Sequence, residues 1–290
     1  MNVEERVSLA RLTTIGTGGP ARAFARPAAL AELEGALAWA AERELSVATV
    51  GLGSNVLAAD DGVDALVLRL AGELASVRVD GELLIAGGGA TNAVCLHQAR
   101  SGGLGGFEFA CAIPGTAGGG VRMNAGAYGS DWAEILVRAH VLSSDGDAWM
   151  TPLELGLSYR HSSLSAGAVV AEVEYRLTPR PPEEIKARIA DLIAQRKASQ
   201  PTNKRTFGSV FKNPDHELGA GRMLEACGLK GHAIGGAIVS PMHANFIENA
   251  GGATTADALA LMAEARRRAR EQFGVELEHE VQLLGPISVT

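Results

Sequence analysis

The chain has 290 residues, enough for two domains, and 47% of them are hydrophobic, enough for a sizeable core. The net charge of −7 and the aromatic content of 4% argue against a nucleic-acid binder or a membrane-surface binder, since such proteins need a basic face or a row of stacking rings. The cysteines and histidines show no metal-ligand spacing, so we expect no metal site.

The first ten residues, MNVEERVSLA, are charged and lack the apolar run of a signal peptide. No stretch of the sequence reads as a membrane span. We therefore expect a cytoplasmic protein with neither a nucleic-acid nor a membrane partner. The sequence leaves the oligomeric state open and favours a monomer.

Hydrophobic periodicity and turn signals predict an α+β pattern in the first part of the chain. The dipeptide Asp80-Gly81 joins two apolar runs and predicts a hairpin over residues 74–86, because it favours the positive φ angles of a tight turn. The other elements predicted here are helices at residues 27–44 and 91–100 and strands at 47–50, 65–70, 137–142 and 169–177.

The stretch from Thr178 to Pro182 is the best domain boundary, because three prolines in four positions interrupt both strands and helices. Beyond it, the sequence predicts helices at residues 183–198 and 254–273 and a terminal strand at 276–284. We therefore predict that residues 181–290 form a separate, smaller α+β domain.

Two segments are rich in glycine and poor in charge. The first, VGLGSNVLAADDG at residues 50–62, could bring successive backbone N–H groups onto an anion such as a pyrophosphate. It is not a Rossmann fingerprint, because Val56 stands where the third glycine belongs. The second is GFEFACAIPGTAGGGVRMNAGAYG at residues 106–129. Each alone could be a structural turn or crossing, but together they favour a dinucleotide-like ligand.

Three polar segments contain further candidates for chemistry. SYRHSS, at residues 158–163, contains Arg160, which is either an anion clamp or part of a surface strand end. FGSVFKNP, at residues 207–214, contains Ser209 without the G-x-S-x-G pattern, which disfavours an acyl-transfer serine. The sequence HEV places Glu280 on a predicted strand, either as a functional group or as a half-buried carboxylate.

Four further motifs, TTIGTGGPA, LKGHAIGGA, HANFIEN and LEHEV, occur in the same chain. Taken together in their order along the sequence, these motifs and the segments above resemble the UDP-N-acetylenolpyruvoylglucosamine reductase family. The resemblance runs from about residue 12 to residue 285. It implies an FAD-binding domain of the vanillyl-alcohol-oxidase-like (PCMH) type, made of two sub-domains at residues 1–72 and 73–180. It also implies a smaller α+β substrate-binding domain at residues 181–290, whose last strand returns to the active site. The chain is similar to the shorter type of the family, which lacks a tyrosine-bearing insertion.

The resemblance also implies the reaction and three catalytic residues. NADPH reduces a non-covalent FAD, whose N5 delivers hydride to C3 of the enolpyruvyl group of a UDP-sugar in peptidoglycan synthesis. Arg160 matches the catalytic arginine of the family, Ser209 its proton donor to C2, and Glu280 its catalytic glutamate, with Glu278 as the alternate. An arginine suits the carboxylate on which charge develops, and a protonated glutamate would add a hydrogen bond.

The binding residues implied by the resemblance fall into two sets. Flavin contacts are expected at Gly51, Gly53, Ser54, Asn55, Ile113, Pro114, Gly115, Thr116, Gly119, Gly120, Asn124 and Gly126. Substrate contacts are expected at Tyr159, Lys212, Asn213 and His243.

Two other functions stay open on the sequence. One is a different non-covalent FAD oxidoreductase of the same fold that acts on an alcohol or an amine. The other is an inactive homologue that only binds a sugar nucleotide. Retention of Arg160, Ser209 and Glu280 together argues against the inactive homologue.

Overall fold

The computed structural model describes residues 2–143 and 146–289. The chain forms two compact units. Unit 1 comprises Met1–Glu5, Ala23–Leu52 and Ala65–Arg196, and unit 2 comprises Arg6–Arg22, Gly53–Asp64 and Lys197–Thr290. Unit 2 thus includes two stretches that we predicted in the first sub-domain. The functional division at residues 72 and 180 stays a prediction.

The helices begin and end where local capping chemistry allows. Thr91 accepts a hydrogen bond from the N–H of Val94 at the start of α2, and Thr254 and Asp257 form a capping box at the start of α7. Gly274, with φ of 70°, ends α7. The helices are α1 Leu30–Ala41, α2 Asn92–Ser101, α3 Ala117–Met123, α4 Trp132–Ile135, α5 Pro182–Ser199, α6 Ala220–Ala226 and α7 Thr255–Phe273. None of those in the described residues is long and apolar enough to cross a membrane.

The strands are mostly short and are separated by glycine-containing turns. In chain order they are β1 Val3–Ser8, β2 Pro20–Ala25, β3 Ser46–Thr49, β4 Val56–Ala58, β5 Val63–Leu68, β6 Val77–Asp80, β7 Leu83–Gly87, β8 Leu104–Gly105, β9 Gly126–Ala127, β10 Ser130–Asp131, β11 Leu136–Ser143, β12 Gly146–Met150, β13 Val169–Arg176, β14 Thr178–Pro179, β15 Thr206–Ser209, β16 Ala233–Ile234, β17 Ala237–Val239, β18 Phe246–Asn249 and β19 Gln282–Leu284.

A five-stranded antiparallel sheet in the order β12-β11-β13-β7-β6 organises most of unit 1. The predicted hairpin is confirmed as β6 and β7, although its first residues form a 3-10 turn at Gly72–Ala75. Helices α2 and α3 pack on this sheet. The core beneath them contains Trp132, whose Nε1 donates to the hydroxyl of Tyr175 at 2.7 Å.

The remainder of unit 1 is built around the parallel pair of β3 and β5, in which Ser46–Thr49 lie in register with Ala65–Leu68. Helix α1 covers the pair, with Leu33, Ala36 and Ala40 in the core. The strand order of the sheet is β1-β2-β5-β3.

Unit 2 has its own four-stranded antiparallel sheet, ordered β15-β18-β17-β16. Helices α6 and α7 pack together, and α7 packs on this sheet, with Leu261 and Met262 fully buried. The predicted terminal strand is shorter than expected, because only Gln282–Leu284 pair, in parallel with β4. Glu280 therefore lies just before β19 and not in a strand, contrary to the prediction.

Candidate active site

Both glycine-rich segments line one cavity of about 140 Å³ in unit 1. The first segment contributes the turn that follows β3, and the second contributes the start of α3. A Cβ built on Gly51 would lie 2.6 Å from Thr116 Oγ1, so the two segments approach as closely as only glycine permits. The lining residues are Thr49, Val50, Gly51, Leu52, Arg69, Leu70, Gly88, Gly89, Thr91, Thr116, Gly118, Gly119, Arg122, Ala168 and Val170.

In the second segment, Gly118–Gly120 lie in helix α3 and not in a turn or crossing of the kind that the glycines suggest. Thr116 caps the helix, and the N–H groups of Ala117 and Gly118 donate to the carbonyls of Ala90 and Gly88 at 2.8 and 2.9 Å. A Cβ on Gly120 would overlap the ring of Trp132, whereas a Cβ on Gly119 would meet only Thr116 Oγ1, at 3.4 Å. Gly120 therefore serves packing, and Gly119 faces the cavity.

The sequence analysis missed several residues that line the cavity, among them Arg69, Gly88, Gly89 and Arg122. A Cβ on Gly88 would overlap the carbonyl oxygen of Val170, and one on Gly89 would lie 2.7 Å from the carbonyl oxygen of Leu70. The available signal was AGGGA at residues 86–90, a triple glycine directly after a predicted strand. Arginines give no such signal, because their position in the chain does not reveal what they face.

The chemistry of the cavity suits one part of a phosphate-bearing cofactor such as FAD. Within the described residues, the N–H groups of Gly51 and Leu52 donate no hydrogen bond to the protein. Such groups are suited to binding an anion. The lining contains arginines and no carboxylate. Ligand pockets usually enclose roughly 300–1,000 Å³, so this cavity fits a portion of the dinucleotide.

Of the residues predicted to contact the flavin, Gly51, Thr116 and Gly119 line the cavity. Asn124 has a left-handed backbone that ends α3, and its amide bonds to Asp131, to the carbonyl of Ser158 and to the N–H of Ala133. The carbonyls of Ile113 and Gly115 accept bonds from Asn92. Flavin contact by these residues, and by Pro114, Gly120 and Gly126, stays a prediction.

Arg160 lies in unit 1, at the third position of a tight turn closed by paired backbone hydrogen bonds between Ser158 and His161 at 3.1 Å. Its φ of 52° is rare for a residue with a side chain and costs about 1–2 kcal/mol. Nη2 donates to the carbonyl of Gly126 at 2.5 Å, and the guanidinium lies 4.9 Å from the ring centroid of the half-exposed Tyr159. Non-glycine residues held in strained backbone conformations concentrate at functional sites.

Ser209 and Glu280 belong to adjacent backbone segments of unit 2. The N–H of Glu280 donates to the carbonyl of Val210, the residue after Ser209, at 2.8 Å, and Phe211 forms a bridge with His279. Ser209 ends β15 directly after a bulge, where Gly208 has φ of 81°. A bulge of this kind re-aims the side chain that follows it.

Asn55 connects the first glycine segment to the Glu280 segment within unit 2. Its Nδ2 donates to the carbonyl of Glu280 at 3.2 Å, and its own carbonyl accepts the N–H of Gln282 at 3.0 Å. Gly53 packs on the backbone of Leu12 and accepts the N–H of Thr14, and a Cβ on Gly208 would lie 3.3 Å from the carbonyl of Ser54. Flavin contact by Gly53, Ser54 and Asn55 stays a prediction.

The residues predicted to contact substrate in unit 2 have protein partners of their own. Lys212 Nζ forms an ion pair with Glu278 Oε1 at 2.6 Å. Glu278, the alternate to Glu280 as catalytic glutamate, is therefore bound to a lysine. Asn213 Oδ1 accepts the N–H of Ala220 at the start of α6. Burial, together with nearby Lys230, lowers the pKa of His243, so the imidazole is mostly neutral near pH 7.

Comparison with known proteins relates the chain to one enzyme family and its N-terminal part to FAD-binding domains. The family model for the "UDP-N-acetylenolpyruvoylglucosamine reductase, C-terminal domain" matches residues 200–284, and an "FAD binding domain" model matches residues 21–151. The UDP-N-acetylenolpyruvoylglucosamine reductase of Rubrobacter xylanophilus is 45% identical over 279 residues, 96% of this chain and 93% of that protein. That of Bacillus velezensis is 40% identical over 98% of this chain and 94% of its own length.

A solved structure gives the same result for the fold. The crystal structure of UDP-N-acetylenolpyruvylglucosamine reductase from Thermus caldophilus matches with a TM-score of 0.86 and 37% identity, over 98% of this chain and 99% of that one. The predicted α+β fold with an FAD-binding domain is thereby confirmed. The chain belongs to the UDP-N-acetylenolpyruvoylglucosamine reductase family.

Proposed function

We propose that the chain is an FAD-containing, NADPH-dependent reductase that converts UDP-N-acetylglucosamine enolpyruvate into UDP-N-acetylmuramate for peptidoglycan synthesis. The observation that carries this proposal is the whole-length similarity to reductases of that name, at up to 45% identity. The glycine-lined, cationic cavity inside the FAD-binding region supports it. The similarity favours this activity over an alcohol or amine oxidase and over an inactive homologue. A cytoplasmic location and a monomeric state remain predictions.

When bound, FAD supplies hydride chemistry, which no amino-acid side chain can provide. The side chains of the protein have to bind the substrate carboxylate, stabilise the charge that develops on it and deliver a proton to C2. We assign these tasks to Arg160, Ser209 and Glu280.

Arg160 is assigned to the substrate carboxylate. Its guanidinium stays charged at every working pH and can bind a carboxylate through two parallel hydrogen bonds. The bond to the carbonyl of Gly126 and the strained turn fix the base and one edge of the side chain. A cation held in place in this way needs little reorganisation when negative charge develops beside it.

Ser209 is assigned to proton delivery at C2, with Glu280 donating a hydrogen bond in its protonated form. A serine hydroxyl is a weak acid, so it can act only on a strongly basic carbon and only at close range. The bulge before Ser209 sets the direction of its side chain, and the hydrogen bond from the N–H of Glu280 to the carbonyl of Val210 holds the two backbone segments side by side. Asn55 holds the opposite edge of the Glu280 backbone.

The proposal is tested by following the two half-reactions separately in an anaerobic stopped-flow instrument. In Ser209→Ala, reduction of the bound flavin by NADPH should stay within about twofold of wild type. Reoxidation by the enolpyruvyl substrate should slow by about 10²–10⁴-fold, the usual contribution of a positioned acid. Ser101→Ala, at the exposed end of α2, is the matched control.

Two results would contradict the proposal. A purified full-length protein that binds no FAD would refute the flavoenzyme function. Equal slowing of both half-reactions in Ser209→Ala would refute the role in proton delivery.

Arg160→Lys tests the assigned carboxylate contact. A lysine keeps the charge and loses the planar pair of donors, so kcat/KM for the enolpyruvyl substrate should fall at least about tenfold. Steady-state kinetics at fixed NADPH measure this value. Near-normal turnover would show that Arg160 only shapes the turn.

A further inference from the structure

The backbone that follows Ser209 runs beyond the end of its partner strand. Strand β15 pairs with β18, and the last pair in that register is Ser209 with Phe246. The ladder continues with a backbone bond from the N–H of Val210 to the carbonyl of Asn245 at 2.9 Å. The next residue, Phe211, is buried, so its N–H and carbonyl need partners within the protein.

The side chain of Asn245 supplies both partners. Its Oδ1 accepts the N–H of Phe211 at 2.9 Å, and its Nδ2 donates to the carbonyl of Phe211 at 2.8 Å. One planar amide thus meets the donor and the acceptor of a single residue, as the backbone of a neighbouring antiparallel strand would. Only the amide side chains of asparagine and glutamine combine an acceptor and a donor in this way.

Asn245 is itself held in place by the turn before β18. Its residue is only 4% exposed, and its backbone N–H donates to Nδ1 of His243 at 3.2 Å. The N–H of Phe246 donates to the carbonyl of His243 at 3.0 Å, which closes the turn. The amide therefore projects from a hydrogen-bonded turn, and its two bonds fix the position of Phe211.

The other edge of the same segment is bonded to the Glu280 backbone. The carbonyl of Val210 accepts the N–H of Glu280 at 2.8 Å. The segment that follows Ser209 is therefore held on both edges, by Asn245 on one and by Glu280 on the other. If the bonds from Asn245 are lost, this segment can move, and the position of Ser209 relative to Glu280 changes with it.

We propose that Asn245 is a positioning residue for proton delivery, because its amide holds the backbone after Ser209 and so sets where the Ser209 hydroxyl lies. This inference rests on the proposed function, since it takes Ser209 to be the proton donor to C2. A serine hydroxyl acts only at close range, and a displacement of about 1 Å can cost about 10²-fold in rate. Asn245 acts through Ser209 and needs no contact with the substrate.

A double-variant cycle on the full-length, FAD-loaded enzyme tests the inference. In Asn245→Ala, anaerobic reoxidation of the reduced flavin by saturating enolpyruvyl substrate should slow by about 10- to 100-fold, while reduction by NADPH stays within about twofold. In the Ser209→Ala background, the same change should slow reoxidation by less than about twofold, because the group that Asn245 positions is already missing. Equal factors in both backgrounds would overturn the inference.

Two measurements separate positioning from a general loss of stability. Met262→Ala, in the core face of α7, should lower Tm at least as much as Asn245→Ala and leave reoxidation within about twofold. Hydrogen exchange at the N–H of Phe211, followed by mass spectrometry, should be at least about tenfold faster in Asn245→Ala. The inference is wrong if Met262→Ala slows reoxidation by the same factor, or if exchange at Phe211 is unaltered in Asn245→Ala.

Further outcomes distinguish this inference from the proposed function. If Ser209→Ala alone leaves reoxidation at the wild-type rate, the role in proton delivery fails and the inference fails with it. If Ser209→Ala slows reoxidation as expected and Asn245→Ala does not, only the inference is overturned.

A second variant keeps the test decisive if Asn245→Ala fails to fold, as judged by thermal unfolding. Asn245→Ser then replaces it in the cycle. Its hydroxyl is too short to bond both groups of Phe211 in the geometry of an amide, so reoxidation should still slow by at least about threefold. A wild-type rate in Asn245→Ser would overturn the inference.

Discussion

The cavity of unit 1 and the Ser209–Glu280 region of unit 2 are built in opposite ways. Around the cavity, glycines bring main chains into contact and leave N–H groups and two arginines without protein anions. Around Glu280, backbone atoms and the Asn55 side chain are bonded on both sides. The cavity therefore depends on glycines, whose lack of a side chain lets main chains approach closely. The Glu280 region depends instead on hydrogen bonds made by the backbone and by the Asn55 side chain.

The difference indicates how each region should fail. A region made of close backbone contacts tolerates no added atom, so a single methyl group damages it. A region made of hydrogen bonds loses one bond at a time, and its defects should appear first in the position of one catalytic group.

The largest effect is expected from Gly88→Ala in the wall of the cavity. Its new methyl group would overlap the carbonyl of Val170 on β13, and the backbone has to move to relieve it. We expect the free energy of unfolding to fall by about 3 kcal/mol, the upper range for overpacking. Urea denaturation measures this change.

Gly35→Ala is the matched control for the added methyl group. Gly35 lies on the exposed side of α1, and a Cβ there has no neighbour within 4 Å among the described residues. Alanine should stabilise the helix by about 0.5–1 kcal/mol. If both variants lost stability equally, the close contact at Gly88 would not be the cause.

A smaller effect is expected from Asn55→Ala, which removes the bond to the carbonyl of Glu280. Stability should fall by about 1 kcal/mol, the net value of one such hydrogen bond. Reoxidation of the flavin by substrate should slow several-fold while the Kd for FAD stays within about twofold.

The same variant separates two roles of Asn55. A loss of FAD affinity above about tenfold, with normal reoxidation once the protein is saturated, would assign Asn55 to the flavin, as the resemblance implies. Asn55→Asp should be no better than Asn55→Ala, because a carboxylate cannot donate to the Glu280 carbonyl.

The smallest effect is expected from Glu264→Gln on α7, which lies outside both regions. Hydrogen bonds from Arg267 and Arg268 lower the pKa of Glu264 to about 2, against an ordinary value of 4.5. The stabilisation is complete above about pH 5 and is lost as the pH falls through the lowered pKa. Glu264→Gln should cost about 0.5–1 kcal/mol at pH 7 and progressively less towards pH 3.

Chemical denaturation over this pH range measures that difference, and the Kd for FAD should not change. A difference that grows on acidification would contradict the lowered pKa. An altered Kd for FAD would show that FAD binding depends on residues outside the lining of the cavity.

Local signals in the sequence predicted several elements well. The prolines before α5 and the regular apolar spacing of α5 and α7 placed both helices almost to the residue. The Asp80-Gly81 hairpin was also readable, because its turn chemistry lies within a few residues. Helix α3 was not predicted, since three successive glycines disfavour a helix. Packing of Gly120 on Trp132 and the cap at Asn124 hold it in place.

The sequence by itself determined the family, the FAD-binding fold and the candidate residues Arg160, Ser209 and Glu280. These conclusions rest on motifs that are contiguous in the sequence and occur in a fixed order, so they need no knowledge of the folded structure. Only the tertiary structure revealed that Arg69, Gly88 and Arg122 line the cavity, that Lys212 pairs with Glu278, and that Asn55 holds Glu280. The physical reason is that these contacts join residues far apart in sequence. A partner brought close by folding leaves no periodicity or spacing that can be read beforehand.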